Sequence, residues 1–379
     1  MQTATRNIVF IINSLTSGGA EHALVELLEH LRNSMKNYVV HLVLLDVEEE
    51  LHPVPDWVHK HVLDAKFSFF RSAISLMRLL RRLEPVVTVS FLNRSNCANV
   101  IASRAMRHPC IISERTHPSS RFGSGFNDLI TKAVMRLTYP YADQVVAVSE
   151  GVKDDLVEHF GVDAARCQVI YNPINTERIC QRALESAGIR VPGPFIVSAG
   201  RLVPSKNFQM LIEAYDASGI DENLVILGEG EERGALQQQV SRLGLNNRVH
   251  LPGHLRNPYP VIRDARLFVS SSNLEGFPNA LIEAMALGCP IVATDCATGP
   301  KEILTGSSHG RCKDITFGPY GIVVPVESIE LLAMAIRIGR SEDNRALYSQ
   351  RSKKRAQDFA SRRAVDQYWS AINAFAPPQ

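Results

Sequence analysis

The sequence predicts an α/β protein that contains two doubly wound, mostly parallel sheets in series, facing a cleft. A chain of 379 residues is long for one domain and suits two domains of similar size, each large enough to bury its own core. Short β-branched runs alternate with helical stretches, which is typical of parallel βα units. The alternation begins again at residue 195, so each half of the chain predicts its own sheet.

Two series of predicted strands support this fold class. The first series covers residues 8–12, 38–45, 86–90, 110–113, 145–148 and 169–171. The second covers residues 195–199, 224–227, 248–251, 267–270, 291–294 and 322–324. A polar stretch without strand character lies between them, so we place a linker at residues 172–192 and domains at residues 1–178 and 190–357. Because such sheets bind ligands beyond the carboxyl ends of their strands, the cleft is the expected active site.

The composition is that of a soluble globular protein. It is 45% hydrophobic and 21% charged with a net charge of +2, which excludes a disordered chain and predicts no nucleic-acid partner. No apolar run approaches the ~20 residues that span a bilayer, and the start lacks the apolar core of a signal peptide, so we expect a cytoplasmic location. The seven cysteines are scattered without a Cys-x-x-Cys pair, which favours reduced thiols and indicates no metal site.

Basic residues are concentrated between residues 60 and 136, where 13 Lys and Arg outnumber 4 Asp and Glu by nine. Part of this stretch interleaves apolar with basic side chains, namely Phe67, Phe69, Phe70, Leu76, Met77, Leu79 and Leu80 with Arg71, Arg78, Arg81 and Arg82. Two interpretations stay open. Either an amphipathic helix packs its apolar side on a sheet, or the stretch binds an anionic membrane surface, which would make the protein peripheral on the inner face of the cell membrane.

The segment from Glu275 to Glu283 carries the strongest functional signal. It follows a predicted strand and opens a helix, with Pro278 suited to the first helical turn and Gly288 to the position just past the helix end. Free N–H groups at such a helix start hold a diphosphate, and Gly276 allows a ligand to approach closely. Glu283 is placed to accept hydrogen bonds from a ribose, and Glu275 to face the sugar. The alternative, a carboxylate that only stabilises the helix start, explains neither the Gly-Phe-Pro-Asn loop nor the second glutamate.

Glu275 and Glu283, seven residues apart, resemble the E-x7-E motif of retaining glycosyltransferases of family GT4, which have the GT-B fold of two Rossmann-like domains. Further motifs occur in the order that this family has: Thr16-Ser17-Gly18-Gly19-Ala20-Glu21, Gly200-Arg201-Leu202-Val203-Pro204-Ser205-Lys206-Asn207 and Gly228-Glu229-Gly230. The resemblance implies that Gly276, Phe277, Pro278, Asn279 and Glu283 bind the donor. It also implies that the terminal helix, residues 358–375, packs back on the first domain.

The glycine and cation motifs have physical roles beside the resemblance. Gly18 and Gly19 stand between a strand and a helix, where backbone amides meet phosphate or donor sugar. Their spacing is not Gly-x-Gly-x-x-Gly, which argues against a dinucleotide cofactor. Arg201 and Lys206 follow the first strand of the second domain, where two cations neutralise a diphosphate as it leaves. As isolated cations they would be solvated surface charges. By resemblance, Arg201 and Lys206 do the electrostatic work that a magnesium ion does in other transferases, and Glu275 belongs to the same catalytic set.

Candidates in the first domain, and one more loop in the second, are less distinctive. His117 matches loosely the histidine that many relatives place near the donor sugar, although a lone histidine is more often a packing residue. Glu114 and Arg115 are its alternatives, and both are also acceptor candidates. Asn93 and Arg94 follow another strand and are acceptor candidates, while Ser95 beside them would simply cap a helix that runs to residue 106. The turn at residues 298–302 is a second candidate ligand loop.

The resemblance implies transfer of a sugar from a nucleoside diphosphate sugar to a hydroxyl of a glycan or lipid-linked sugar in surface polysaccharide or glycoconjugate synthesis. The anomeric configuration is retained through a same-face substitution, no metal or cofactor takes part, and we favour UDP-sugars over GDP-sugars. A sugar-nucleotide epimerase of GT-B fold and a non-catalytic sugar-nucleotide-binding regulator are the alternatives. A phosphorylase-like enzyme lacks support because the sequence has no recognisable pyridoxal-binding segment.

Overall fold

The computed structural model describes residues 6–16 and 18–376. The chain divides into two compact units, one formed by Met1–Pro173 together with Ser361–Gln379 and the other by Ile174–Ala360. We call them unit 1 and unit 2. The division after Pro173 lies five residues before the predicted boundary at residue 178, because the helix at Thr176–Arg182 packs against helices of unit 2.

Unit 1 contains seven strands and seven α-helices among its described residues. The strands are β1 (Asn7–Ile12), β2 (Val39–Leu44), β3 (His59–Val62), β4 (Pro85–Phe91), β5 (Cys110–Glu114), β6 (Gln144–Ala147) and β7 (Cys167–Val169). The helices are α1 (Gly19–Leu31), α2 (Phe69–Leu83), α3 (Asn93–Met106), α4 (Pro118–Arg121), α5 (Phe126–Thr138), α6 (Glu150–Phe160) and α15 (Ser361–Asn373). Short 3-10 turns cover Tyr139–Tyr141 and Ala164–Arg166.

The sheet of unit 1 is parallel throughout, in the order β3-β2-β1-β4-β5-β6-β7. The strand order reverses between β1 and β4, which makes the loops after these two strands the expected ligand crevice. Leucines of α1 at helical spacing pack on one face of the sheet, and α15 joins them through Tyr368 and Ile372. Leu76, Leu79 and Leu80 of α2 pack on the other face.

Unit 2 repeats the plan with one reversed strand. Its strands are β8 (Phe195–Ala199), β9 (Asn223–Leu227), β10 (Val249–Gly253), β11 (Phe268–Ser270), β12 (Ile291–Thr294), β13 (Thr316–Phe317) and β14 (Ile322–Val324). Its helices are α7 (Thr176–Arg182), α8 (Phe208–Ser218), α9 (Arg233–Arg242), α10 (Tyr259–Asp264), α11 (Asn279–Ala286), α12 (Pro300–Thr305), α13 (Ile329–Gly339) and α14 (Glu342–Ala356), with 3-10 turns at Pro204–Lys206 and Gln357–Phe359. The order is β10-β9-β8-β11-β12-β14-β13, and only β13 is antiparallel to its neighbour.

The predicted α/β class with two doubly wound sheets is confirmed, and the differences are local. The sequence reading missed β3 and the two-residue β13, and it placed the last strand of the first series at residues 169–171 although β7 ends at Val169. Ser95 does not cap α3: the N-cap is Leu92, and Ser95 donates a 2.7 Å hydrogen bond to Asn13 Oδ1. The predicted terminal helix begins at Ser361, after a 3-10 turn.

The apolar residues around α2 divide between core and surface. Leu76, Leu79 and Leu80 are buried, as the amphipathic-helix interpretation expects, whereas Phe67 and Phe70 are 67% and 77% exposed. Among the described residues, no helix is both long enough and apolar enough to cross a membrane. All seven cysteines are free thiols, five of them buried.

Candidate active site

The strongest candidate site lies at the switch point of unit 2, where β8 and β11 are neighbours in the sheet. The loop after β8 carries Arg201 and Lys206, and the loop after β11 carries Glu275 to Pro278. Backbone hydrogen bonds join the two loops, since the N–H of Asn273 donates to the Ser205 carbonyl at 2.8 Å. Residues 69 positions apart in sequence are therefore held side by side at the carboxyl ends of the strands.

Lys206 and Glu275 form an ion pair at the centre of this site. Lys206 Nζ lies 2.5 Å from Glu275 Oε1, and the side chains are 23% and 11% exposed, so both still reach the surface. Ser272 Oγ donates to the same carboxylate oxygen at 2.6 Å. An ammonium group has three donors, so Lys206 can keep Glu275 as a partner and still donate to an incoming anion. Arg201 is exposed at the end of β8 and adds a second cation.

Serine and threonine side chains hold the backbone of the two loops in place. Ser271 Oγ donates to the Lys206 carbonyl at 2.8 Å, and Thr298 Oγ1 donates to the Glu275 carbonyl at 2.6 Å. Thr294 Oγ1 donates to the Ser272 carbonyl at 2.6 Å. In the sequence analysis none of these hydroxyls is assigned a role, although a Ser-Ser-Asn run that directly follows a buried strand and ends two residues before a glutamate is an available signal.

The helix α11 begins at Asn279, directly after the Glu275–Pro278 loop. Pro278 is its N-cap, outside the first helical turn, and it makes no side-chain hydrogen bond to the helix start. Gly288 adopts φ +74° just past the helix end, as predicted. Gly299, in the second candidate loop, has φ +94°, and a Cβ there would lie 2.6 Å from Pro278 Cδ. Only glycine therefore lets the loop before α12 approach the start of α11 so closely.

Two predicted donor residues lie in less accessible surroundings. Phe277 is buried and packs edge-on against Phe359 with ring centroids 5.4 Å apart, so its backbone is the part that remains near the loop. Glu283 is half-buried on α11, and burial raises the pKa of its carboxyl to about 7, while the nearby Arg182 guanidinium acts in the opposite direction. A carboxyl group with a pKa near 7 is only partly ionised at neutral pH. Hydrogen bonds that a ligand donates to it therefore shift it toward the charged form.

Glu114 has a structural environment in unit 1. It is buried, and its Oε1 accepts hydrogen bonds from the N–H of Arg115, the N–H of Thr116 and the Thr116 hydroxyl at 2.8–3.1 Å. Its Oε2 accepts a 2.6 Å hydrogen bond from Tyr139. Because both oxygens are engaged inside the unit, the structure argues against the predicted acceptor contact.

Arg115 is also buried, although it too was an acceptor candidate. It donates to Ser113 Oγ at 3.3 Å and to the Tyr368 hydroxyl at 3.1 Å, and it hydrogen-bonds Asn172. Its guanidinium also lies 5.6 Å from the centre of the Phe91 ring. Arg115 thus joins α15 to the end of β5, and this packing role explains its buried position.

His117 is the N-cap of α4 and not an unconstrained side chain. Its Nδ1 accepts a 3.2 Å hydrogen bond from the Ser120 N–H, and its Nε2 lies 3.7 Å from Asp155 Oδ1. Asp155 also accepts a hydrogen bond from the Ser119 N–H at 3.0 Å. The imidazole therefore has a structural role as a helix cap. The sequence pattern indicates only that a lone histidine is often a packing residue.

The loops after β1 and β4 place the other first-unit candidates at the switch point of their sheet. Gly18 is the N-cap of α1 and Gly19 its first residue, while Ser17 of the same motif lies outside the described residues. Asn93 opens α3, and Arg94 forms an ion pair with buried Asp46. Leu92 before them has φ +74° and ψ 148°, a conformation that costs about 1–3 kcal/mol in an L-residue.

Two other features of the described chain lie apart from these residues. Glu26, Glu29 and His30 bring ligand-type atoms together on α1, but Glu26 already accepts a 3.1 Å hydrogen bond from Ser361. A groove of about 550 Å³ lies along α9, β10 and residues 189–192 of unit 2. It includes none of the predicted site residues.

A doubly wound parallel unit with a cation, a carboxylate and a helix start at its switch point defines an α/β enzyme class that binds phosphorylated ligands. Comparison with known proteins makes the class specific. The family model described as glycosyl transferases group 1 matches residues 181–355, and that of glycosyltransferase family 4 matches residues 17–178.

Individual proteins agree with these matches. The chain is 32% identical to the N-acetylgalactosamine-N,N'-diacetylbacillosaminyl-diphospho-undecaprenol 4-alpha-N-acetylgalactosaminyltransferase of Campylobacter jejuni, over 92% of this chain and 94% of that one. It is 28% identical to the lipopolysaccharide 1,6-galactosyltransferase of Salmonella typhimurium over 45% of this chain and 48% of that protein. The crystal structure of Anabaena HepE in complex with UDP and glucose superposes with a TM-score of 0.77 at 21% identity, covering 97% of this chain and 100% of that one.

The chain therefore belongs to the group 1 and family 4 glycosyltransferases and has the GT-B fold. Its catalytic class is glycosyl transfer.

Proposed function

We propose that the protein transfers a sugar from a nucleoside diphosphate sugar to a hydroxyl of a lipid-linked sugar or glycan, with retention of the anomeric configuration and without a metal ion. The observation that carries this proposal is the Lys206–Glu275 pair at the switch point of unit 2, with Arg201 exposed beside it. A cation that is fixed by a carboxylate, yet still partly exposed, is ready to meet a departing phosphate.

The reaction needs stabilisation of the negative charge that grows on the leaving diphosphate. Lys206 and Arg201 supply two positive charges there, and the N–H groups at the start of α11 supply donors. In a same-face substitution the departing phosphate oxygen takes the acceptor proton while the new glycosidic bond forms on the side that the leaving group vacates. Glu275 then orients Lys206 and contacts the donor sugar, and no enzyme nucleophile is required.

The donor is held mainly by unit 2. Gly276 to Asn279 present backbone to the diphosphate, and Glu283 accepts hydrogen bonds from the ribose. UDP is the favoured nucleotide because the Anabaena structure, which shares this fold, contains UDP and glucose. A thermal-shift comparison of UDP-sugars with GDP-sugars tests this preference, since a ligand at 100 times its dissociation constant adds about 2.7 kcal/mol of stability. A larger shift with GDP-sugars would contradict it.

The acceptor side is assigned to the loop after β4 in unit 1. Arg94 Nη1 is buried without a hydrogen-bond partner among the described residues, so this guanidinium has a spare donor beside Asn93. His117, Glu114 and Arg115 are assigned supporting roles because each of them already makes hydrogen bonds within the unit. The Campylobacter relative acts on a diphospho-undecaprenol-linked sugar, which supports an acceptor of the same chemical kind.

An anionic membrane surface is the proposed location of a lipid-linked acceptor. The outer side of α2 exposes Phe70 and Ile74 together with Arg71, Arg78 and Arg81, and no acidic residue lies on that helix. Helix α5, on the same side of the sheet, exposes apolar residues at helical spacing, namely Phe126, Leu129, Ile130 and Leu137. Apolar side chains that insert between basic ones bind the interface of an anionic bilayer.

Nucleotide release measured with and without an acceptor tests the central proposal. We expect release of UDP from a UDP-sugar that depends on a polyprenyl-diphosphate-linked sugar, a product with the anomeric configuration of the donor, and no loss of rate in EDTA. An isomerised donor formed without acceptor would indicate an epimerase. Binding of the donor without turnover across an acceptor panel would indicate a regulator, and inversion or loss of rate in EDTA would remove the corresponding part of the proposal.

Sedimentation with liposomes tests the membrane surface separately. We expect binding to vesicles with anionic lipid and reduced binding of Phe70→Ser, whereas Leu184→Ser, which removes a 79% exposed leucine of unit 2, should bind like the wild type. Equal sedimentation of both variants and the wild type would assign the binding to another surface.

A further inference from the structure

Three histidines lie together on one face of the sheet of unit 1, far along the strands from the loops just described. His41 is on β2, and His59 and His61 alternate on the neighbouring strand β3. The parallel register pairs His41 with His59, and alternation along β3 puts His61 on the same face. His41 lies in the amino-terminal half of β2, and His59 is the first residue of β3.

The distances from the His41 ring to the other two rings are those of imidazoles around one ion. The ring centroid of His41 is 5.4 Å from that of His59 and 5.2 Å from that of His61. Two imidazoles on a tetrahedral zinc ion, with zinc–nitrogen bonds of about 2.0–2.1 Å, have centroids roughly 5.2 Å apart. His41 Nδ1 and His61 Nε2 already face each other at 3.0 Å.

The surroundings fix which nitrogen of His41 is available. Asn7 donates its amide N–H to the Leu83 carbonyl, which turns its carbonyl Oδ1 toward His41 Nε2 at 3.3 Å. His41 therefore donates from Nε2 and keeps a lone pair on Nδ1, the atom that faces His61. Metal-bound histidines have this arrangement, in which the second ring nitrogen donates to a fixed oxygen.

We propose that His41, His59 and His61 bind one zinc ion, with His41 Nδ1 and His61 Nε2 as two ligands, a nitrogen of His59 as the third and water as the fourth. In the metal-free chain His61 donates to His41, and zinc takes the place of that shared proton while each ring keeps one N–H. The His59 ring is exposed and rotates to reach the ion. The ion joins the edge strand β3 to β2.

The charges around the three histidines favour neutral imidazoles, and one of these charges, on Arg82, opposes the binding of a cation. Burial and the neighbouring imidazoles lower the pKa of His41 to about 4, and burial with His59 and Arg82 lowers the pKa of His61. Neutral imidazole is the form that binds zinc. The Arg82 guanidinium near His61 repels a cation, so its removal should strengthen binding.

Calorimetric titration of the untagged, metal-stripped full chain with Zn²⁺ tests the site, and Co²⁺ provides a visible absorption signature of tetrahedral coordination. We expect one equivalent of zinc. His59→Ala and His61→Ala should each weaken binding at least tenfold, Asn7→Ala should weaken it about 10–100-fold without removing a ligand, and Arg82→Gln should strengthen it. Glycosyl transfer by the His59→Ala variant should be unchanged.

His30→Ala is the matched control, because His30 belongs to the other group of possible ligands, with Glu26 and Glu29. Unchanged binding in this variant is expected. Loss of binding in His30→Ala, wild-type affinity in a His59→Ala/His61→Ala double variant, or no binding to the wild type would each overturn the assignment. His59 and His61 are not fully buried, and a circular dichroism spectrum checks that these variants are folded.

Discussion

Both units carry ionisable residues at the carboxyl ends of central strands, yet these residues are used differently. In unit 2, Lys206 and Glu275 are partly exposed and pair with each other, so each retains capacity for a ligand. In unit 1, Glu114 and Arg115 also follow a central strand, but they are buried and engaged by Tyr139, Tyr368 and other internal groups. A charged residue at a strand end therefore indicates a site only if it is accessible and has unused hydrogen-bonding capacity.

The physical reason is the cost of leaving a buried charge without partners. A carboxylate inside a protein must be hydrogen-bonded, and once its oxygens are satisfied it gains little from a substrate. The Lys206–Glu275 pair still reaches solvent, which screens part of its attraction, so we expect it to contribute less to stability than the fully buried groups of unit 1. Substitution should consequently affect catalysis in unit 2 and folding in unit 1.

The largest effect is expected for Lys206→Ala. Loss of the cation that meets the leaving diphosphate should lower kcat/KM about 10²–10³-fold, the range for removing one stabilising donor from a transition state. The melting temperature should stay within about 2 °C of the wild type, because the side chain is 23% exposed. Steady-state rates of nucleotide release and a thermal melt provide both numbers.

Lys313→Ala, at an exposed lysine of unit 2, is the control for a general change of charge and should retain wild-type rates. Equal activity of the Lys206 and Lys313 variants would break the contrast between the units, since Lys206 would then be an ordinary surface residue.

Tyr139→Phe should have the opposite pattern. The variant keeps the volume of the ring but removes the 2.6 Å hydrogen bond to Glu114, and a buried acceptor left without its donor costs about 1–3 kcal/mol. Urea unfolding should show this loss, while kcat/KM at a temperature where the variant is folded should be unchanged. A specific rise in the KM for acceptor, with stability intact, would return Glu114 to the acceptor site.

The sequence predicted the fold well wherever a strand is buried on both faces. Residues 195–199 and 291–294 are β-branched or apolar runs, and the structure has strands at these bounds. The missed strand β3 has the sequence His-Lys-His-Val and lies at an edge of the sheet. This sequence shows no alternation of apolar residues. An edge strand pairs with a neighbouring strand on one side only, so it need not be apolar.

The candidate site was predictable in part, for a related reason. Lys206 and Glu275 stand next to strands in recognisable loops, so topology alone brings them to one edge. The hydrogen-bond partners of Glu114 and Arg115 could not be predicted, because the helix that covers this strand end is distant in sequence. Tyr368 of that helix contacts the neighbouring Ser113 across 255 positions of sequence. Burial by a distant helix is a tertiary property that a local pattern does not contain.

Glu283→Gln tests a carboxyl of unit 2 through pH. The folded-state pKa of about 7 lies above the ordinary value of 4.5, so between these pH values the folded chain binds more protons than the unfolded chain. The free energy of unfolding should therefore fall as pH rises from about 4.5 to 7, by on the order of 2 kcal/mol because the side chain is partly solvated. The glutamine variant should lack this part of the slope in urea unfolding.

Glu158→Gln, which alters a carboxyl that is 69% exposed in unit 1, should keep the wild-type slope. The same slope in Glu283→Gln and the wild type would mean that Glu283 is ionised in the folded protein throughout this range. The site in unit 2 would then hold a permanent charge at this position.

The smallest effect is expected for substitutions of His117. They distinguish a helix cap from a contact with the donor sugar. Because its Nδ1 accepts the Ser120 N–H, His117→Ala should lose a helix cap and about 1 kcal/mol of stability, whereas His117→Asn restores a good cap without an imidazole. If the role is structural, the asparagine variant should match the wild type in stability and in kcat/KM. If the imidazole contacts the donor sugar, both variants should lose activity to a similar extent. Parallel thermal melts and donor-saturation kinetics on the two variants distinguish these outcomes. Loss of activity in His117→Asn would show that one residue of unit 1 is needed for activity, as is proposed for Lys206.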